Sequence, residues 1–82
     1  MQILWEQNNI AHLARHKITP ELAERIINAG ASSAIPTDTN NRYIIEVELD
    51  GEYYRLICDI AAGFTVYPVT AFKIRKPRKY QP

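Results

Sequence analysis

The chain has 82 residues, enough for one domain and too few for two. Apolar residues at 46% and charged residues at 23% place it among globular chains and exclude a disordered or fibrous one. A single cysteine, Cys58, excludes an internal disulfide, three glycines leave no room for a glycine-rich phosphate loop, and no apolar run approaches membrane-spanning length.

The opening residues, MQILWEQNN, carry an acid and no basic region. They are therefore not expected to be a secretory signal, and a cytoplasmic protein is expected. Ile3, Leu4 and Trp5 form a short apolar run suited to a brief edge strand. Asn8 or Asn9 is the expected cap of a first helix, because an amide side chain accepts from a free backbone N–H. Ile10, Leu13 and Ala14 fall at helical spacing and predict its buried stripe. His12, Arg15 and His16 lie off that stripe, and Lys17 breaks the pattern. Thr19-Pro20-Glu21 predicts a second helix start: a capping hydroxyl, a proline at the first helical position and an acid that complements the helix dipole. Leu22, Ala23, Ile26 and Ile27 form its stripe, Arg25 follows Glu21 by four residues on the exposed side, and Gly30 is expected to end it in the left-handed position.

Ala31–Asn41 has no period, and Pro36, Asp38, Asn40 and Asn41 mark turns, with a possible short strand at Ala34-Ile35 before them. Arg42–Ile60, RYIIEVELDGEYYRLICDI, is the clearest element. Asp50-Gly51 signals a two-residue type I′ turn. Folding there sets Val47 against Tyr54, Ile45 against Leu56 and Tyr43 against Cys58 on one apolar face. Glu46 then meets Arg55 on the other face, as a cross-strand ion pair. Cys58 reads as a small buried apolar residue. Ala61-Ala62-Gly63 turns the chain again. Phe64–Ala71 reads as a further strand, with Pro68 placed where its missing N–H faces no neighbour. The predicted architecture is α+β, two N-terminal helices packed on a twisted three- to four-stranded antiparallel sheet, with residues 1–82 forming a single domain.

The formal net charge of +1 hides an uneven distribution, since residues 73–82 carry +5 and residues 1–72 carry −4. A basic end on an acidic body suits a polyanion or an acidic partner, or simply a solvated tail. No metal constellation emerges: His12 and His16 are four apart, but the glutamate of an HExxH motif is absent and no third ligand stands out.

RNA cleavage without a metal asks for a base, an acid and a cation beside the developing phosphorane. Arg15, His16 and Lys17 after the first helix, Arg55 on the open sheet face, and Tyr67, Lys73 and Arg75 near the end supply such groups. Each has a plainer reading. His16 can serve the helix dipole, Arg55 can simply pair with Glu46, and Tyr53, Tyr67 and Tyr80 can pack.

Trp5-Glu6, Asn9, His12-Leu13-Ala14-Arg15-His16 and Ile18-Thr19-Pro20-Glu21, together with Tyr67-Pro68-Val69-Thr70-Ala71, Lys73, Arg75-Lys76, Arg78 and Tyr80, resemble the BrnT family of toxins. The resemblance implies a RelE-like fold and a small ribonuclease that needs no metal or cofactor. It also implies a cognate antitoxin protein as partner, RNA as substrate, no membrane, and DNA contact only through the antitoxin. On that reading His16, Arg15, Lys73 and Arg75 carry the chemistry, while Arg55, Lys76, Arg78, Lys79 and Tyr80 hold RNA. The sequence departs from the family pattern at Lys17, where glycine is common, at Phe72, where arginine is common, and at Pro77. A non-catalytic RNA- or protein-binding module of the same fold is the alternative expectation.

Overall fold

The computed structural model describes residues 1–75. Lys76, Pro77, Arg78, Lys79 and Tyr80, and the readings placed on them, lie outside the described residues.

The central hairpin pairs β3 (Arg42–Leu49) with β4 (Glu52–Ala61) in the expected register, Tyr43 to Cys58, Ile45 to Leu56, Glu46 to Arg55 and Val47 to Tyr54. Asp50 and Gly51 both have positive φ, 53° and 82°, as a type I′ turn requires. β5 (Thr65–Ile74) returns antiparallel along β4.

The sheet nevertheless differs from the expectation of three to four antiparallel strands. It is five-stranded and mixed, in the order β1-β5-β4-β3-β2. β1 (Gln2–Ile3) precedes the helices and pairs parallel with Thr65 and Val66 of β5. β2 (Ile35–Pro36) pairs antiparallel with Tyr43 and Ile44. Both short strands overlap the stretches marked for them, Ile3-Leu4-Trp5 and Ala34-Ile35, but their partners depend on tertiary contacts: Gln2 N–H bonds Phe64 O at 3.0 Å, Leu4 N–H bonds Val66 O at 2.9 Å, and Ile3 packs on the core.

Two helices, α1 (Gln7–Ala14) and α2 (Pro20–Gly30), follow β1. α2 begins as expected: Thr19 Oγ1 accepts the Leu22 N–H at 3.1 Å, and Ala23, Ile26 and Ile27 are fully buried. It ends differently. Gly30 is the last helical residue rather than a left-handed stop, and a 3-10 turn over Ala31–Ser33 continues from it. Glycine is needed there for closeness, because a Cβ would lie 2.5 Å from Val47 Cγ1 and 2.6 Å from Ile45 Cγ2. Arg25 turns away from Glu21 and pairs with Asp50 of the hairpin turn at 3.0 Å.

The N-cap of α1 is Glu6, ahead of the expected asparagines. Asn9, three residues in, accepts the Glu6 N–H at 2.8 Å and donates to the Leu4 carbonyl at 3.1 Å. Both sides of the amide are thereby used, which lets Asn9 stand buried beside Leu13, where Ile10 and Ala14 had been expected.

Leu13, Ile18, Ala23, Ile26 and Ile27 from the helical layer meet Ile45, Leu56, Cys58, Val66 and Ala71 from one sheet face to form the core. Pro68 joins them at a bulge: Ile57 pairs with Thr70 and Cys58 with Pro68, leaving Val69 as the extra residue. β1 covers only Thr65 and Val66, so the missing N–H of Pro68 falls on a stretch of β5 without a strand outside it.

Candidate functional site

The face of the sheet turned away from the core is built by the alternate residues. Glu46, Arg55 and Phe72 stand in one row across β3, β4 and β5. Arg55 Nε donates to Glu46 Oε2 at 2.7 Å, and the Glu46 side chain is only 9% exposed. This face of the hairpin is therefore partly closed by its own long side chains. At the other end of the face, Arg42 gives two hydrogen bonds to Asp59, at 2.8 and 3.1 Å. These bonds and the carboxylate charge push the Arg42 guanidinium up from its ordinary value. Tyr67 stands opposite Asp59 on β5.

α2 packs on β3, whereas α1 packs on β5. β1 pairs with only Thr65 and Val66, no other strand among the described residues lies outside β5, and α1 packs on this strand. One flank of α1 meets side chains of the open face. Glu6 accepts the Tyr67 hydroxyl at 3.3 Å, and the His16 ring lies 5.7 Å from the Phe72 ring. Burial and the Glu6 carboxylate raise the Tyr67 phenol above its ordinary value.

The local sequence determines where α1 stops and so where His16 stands. Lys17 N–H bonds Ala14 O at 3.0 Å and Ile18 N–H bonds Leu13 O at 3.1 Å, the paired bonds of a Schellman motif. Lys17 takes the left-handed position, φ 61°, that glycine ordinarily fills. Buried Ile18 and Leu13 supply the apolar contact that accompanies the motif.

The residues expected to act together are therefore distributed as follows. His16 and Arg55 share the open face, each beside Phe72. Arg15 is exposed at the end of α1. Lys73 pairs with Tyr54, and alternation turns it to the side opposite Phe72, where its Nζ lies 3.6 Å from Glu52 Oε2. Arg75 is exposed just beyond β5.

Sequence reasoning did not find how little of the Glu46 side chain meets solvent. It also missed a recess of about 180 Å³ between α1 and β5, lined by Asn8, Asn9, His12, Tyr67 and Val69. The only sequence trace of the recess was the row Asn8, His12, His16 at four-residue spacing. A second, more apolar recess of about 340 Å³ lies at the far end of the core, among Met1, Ala31, Ala34, Tyr43, Ile60 and Phe64.

Among the described residues no three His, Cys, Asp or Glu side chains gather as a metal would require. His12 and His16 have ring centroids 6.2 Å apart. No described helix is long and apolar enough to cross a membrane. No family model, no curated protein and no solved structure matches this chain.

Proposed function

We propose that this protein is a metal-independent endoribonuclease of the BrnT, RelE-like kind, a toxin neutralised by a cognate antitoxin protein. The observation that carries the reading is the meeting of His16 with Phe72, which stands opposite Arg55. An imidazole at a helix end and a guanidinium on the sheet flank one stretch of open surface. A single-stranded RNA lying there would offer its 2′-OH to His16, and imidazole is the side chain most often used for proton transfer. Its phosphate would draw Arg55 from Glu46 and gain the charge stabilisation that cleavage needs. Arg15 and Arg75, exposed at the end of α1 and just beyond β5, are further cations for the RNA backbone, and Lys73, on the other side of β5, would meet RNA that wraps past the end of the strand. The basic residues 73–82 suit both RNA and an acidic antitoxin segment, and DNA contact would come through the antitoxin.

One observation favours the second reading, a non-catalytic RNA- or protein-binding module. Arg55 is already held by half-buried Glu46, and Phe72 stands between it and His16.

Cleavage of a generic single-stranded RNA in EDTA separates the two. The wild type should cut. His16→Ala should slow cutting by roughly 10²–10⁴-fold while leaving RNA binding nearly intact. Lys73→Ala and Arg75→Ala should weaken binding and flatten its salt dependence. Equal cutting by all four proteins removes the assignment. If none cuts, Phe72→Arg tests whether a cation at this position restores activity.

A further inference from the structure

We infer that the recess between α1 and β5 binds an adenine base of single-stranded RNA. The inference rests on RNA being the ligand, but not on its being cut.

The recess adjoins the candidate site by construction. Asn8, His12 and His16 follow one another at four-residue spacing and form one row along α1. The recess lies at the Asn8–His12 end, and the His16–Phe72 contact lies at the other. The His12 and His16 rings are 6.2 Å apart, within the span of one nucleotide, so a base at the recess brings its own sugar toward His16. The β5 bulge shapes the opposite wall. It makes Val69 the extra residue of its strand, and Val69 lines the recess together with Tyr67. Bulges commonly re-aim a side chain beside a functional site.

The lining selects a neutral heterocycle rather than a phosphate. It holds two amides, two rings and a valine, and no lysine or arginine. Glu6, bonded to the Tyr67 hydroxyl at 3.3 Å, adds negative charge at its edge. His12 and Tyr67 place two rings in its lining, and such rings stack on bases. Asn9 is buried and its amide is committed to Glu6 and Leu4. Asn8 is exposed, with no side-chain hydrogen bond among the described residues. A free amide offers a donor and an acceptor side by side, the arrangement that reads the N6 amino group and N7 of adenine. The Glu6 carboxylate, which accepts the Asn9 backbone N–H and the Tyr67 hydroxyl, makes the surroundings negative, and that favours an exocyclic amine over the O4 carbonyl of uracil. Cytosine shares the amine, but it is a smaller surface for two rings and a recess of about 180 Å³.

The test uses fluorescence anisotropy with 2′-O-methyl hexamers of adenosine, cytidine and uridine, whose capped 2′ oxygen prevents cleavage. The wild type should bind the adenosine hexamer roughly tenfold or more tighter than the uridine hexamer. Asn8→Ala should bring that ratio close to one. Asn8 is exposed, so the variant should keep the wild-type circular dichroism. His12→Ala should weaken adenosine binding through lost stacking. Equal affinity for all three hexamers, preference for cytidine or uridine, absence of binding, or a preference that survives Asn8→Ala would each overturn the inference. Adenosine preference without any RNA cutting keeps the recess and removes the nuclease. Cutting by a protein that binds all three hexamers alike keeps the nuclease and removes the recess.

Discussion

The two faces of the sheet are made from alternate residues of the same three strands, and they have been put to different uses. On the covered face Ile45, Leu56, Cys58, Val66 and Ala71 lie under the helices with almost no exposure. On the other face Glu46, Arg55, Ile57, Tyr67, Thr70 and Phe72 are half-buried, and three of these are titratable. The difference follows from what each face can tolerate. A sealed layer penalises any unpaired polar atom, so it fills with hydrocarbon. A face left to water can keep charges, provided neighbouring strands pair them as Glu46 pairs with Arg55 and Asp59 with Arg42. The two faces meet α1 at β5, where His16 lies beside Phe72 and His12 shares a recess with Tyr67 and Val69.

The sharpest test of that contrast is a pair of neighbours on β4. Leu56 points into the core and Ile57 to the open face. Leu56→Ala should destabilise by about 2–5 kcal/mol, since both transfer energy and a cavity are involved. Ile57→Ala should cost no more than about 1–1.5 kcal/mol. Urea melts of the two variants check this, and similar losses would show that the faces do not differ in packing.

Gly30 tests how closely α2 sits on the covered face. Gly30→Ala should lower stability by about 1–3 kcal/mol despite alanine's better helix propensity, because the new methyl collides with Val47 and Ile45. A gain in Tm would mean that the helix has room to lift.

Cys58 makes the covered face sensitive to alkaline pH. Burial first, and then Asp59, pushes its thiol from the ordinary 9.0 up to about 11. The folded chain thus holds this proton more tightly than the unfolded chain. Its contribution to stability is full below about pH 9 and is lost as pH rises through about 11. Tyr67, also raised, adds a loss of the same sign. Denaturant melts across that range should show stability falling, with a shallower fall in Cys58→Ala. A thiol reagent at neutral pH should label Cys58 only as the protein opens.

The smallest effects belong to exposed positions. Lys17→Gly should stabilise by up to about 1 kcal/mol by relieving the left-handed backbone at φ 61°. Arg25→Ala should change stability by less than about 1 kcal/mol, since its partner Asp50 is largely exposed as well. A thermal melt resolves the sign of the first and bounds the second.

Short-range signals carried much of this structure into the sequence. Alternation and the Asp50-Gly51 turn determined the β3–β4 register to the residue, because both constraints act within a few positions of the turn. Thr19-Pro20 and the apolar stripe after it determined α2 in the same way. His16 and Arg55 were legible as chemical types. Their meeting around Phe72 was not, because it depends on α1 packing on β5. The parallel seat of β1 on β5, the closeness required at Gly30, the choice of Asp50 by Arg25 and the pairing of Lys73 with Glu52 on the side away from Phe72 were likewise settled by tertiary contacts. Each joins residues far apart in the chain, and no local period or propensity distinguishes the partner that packing selects.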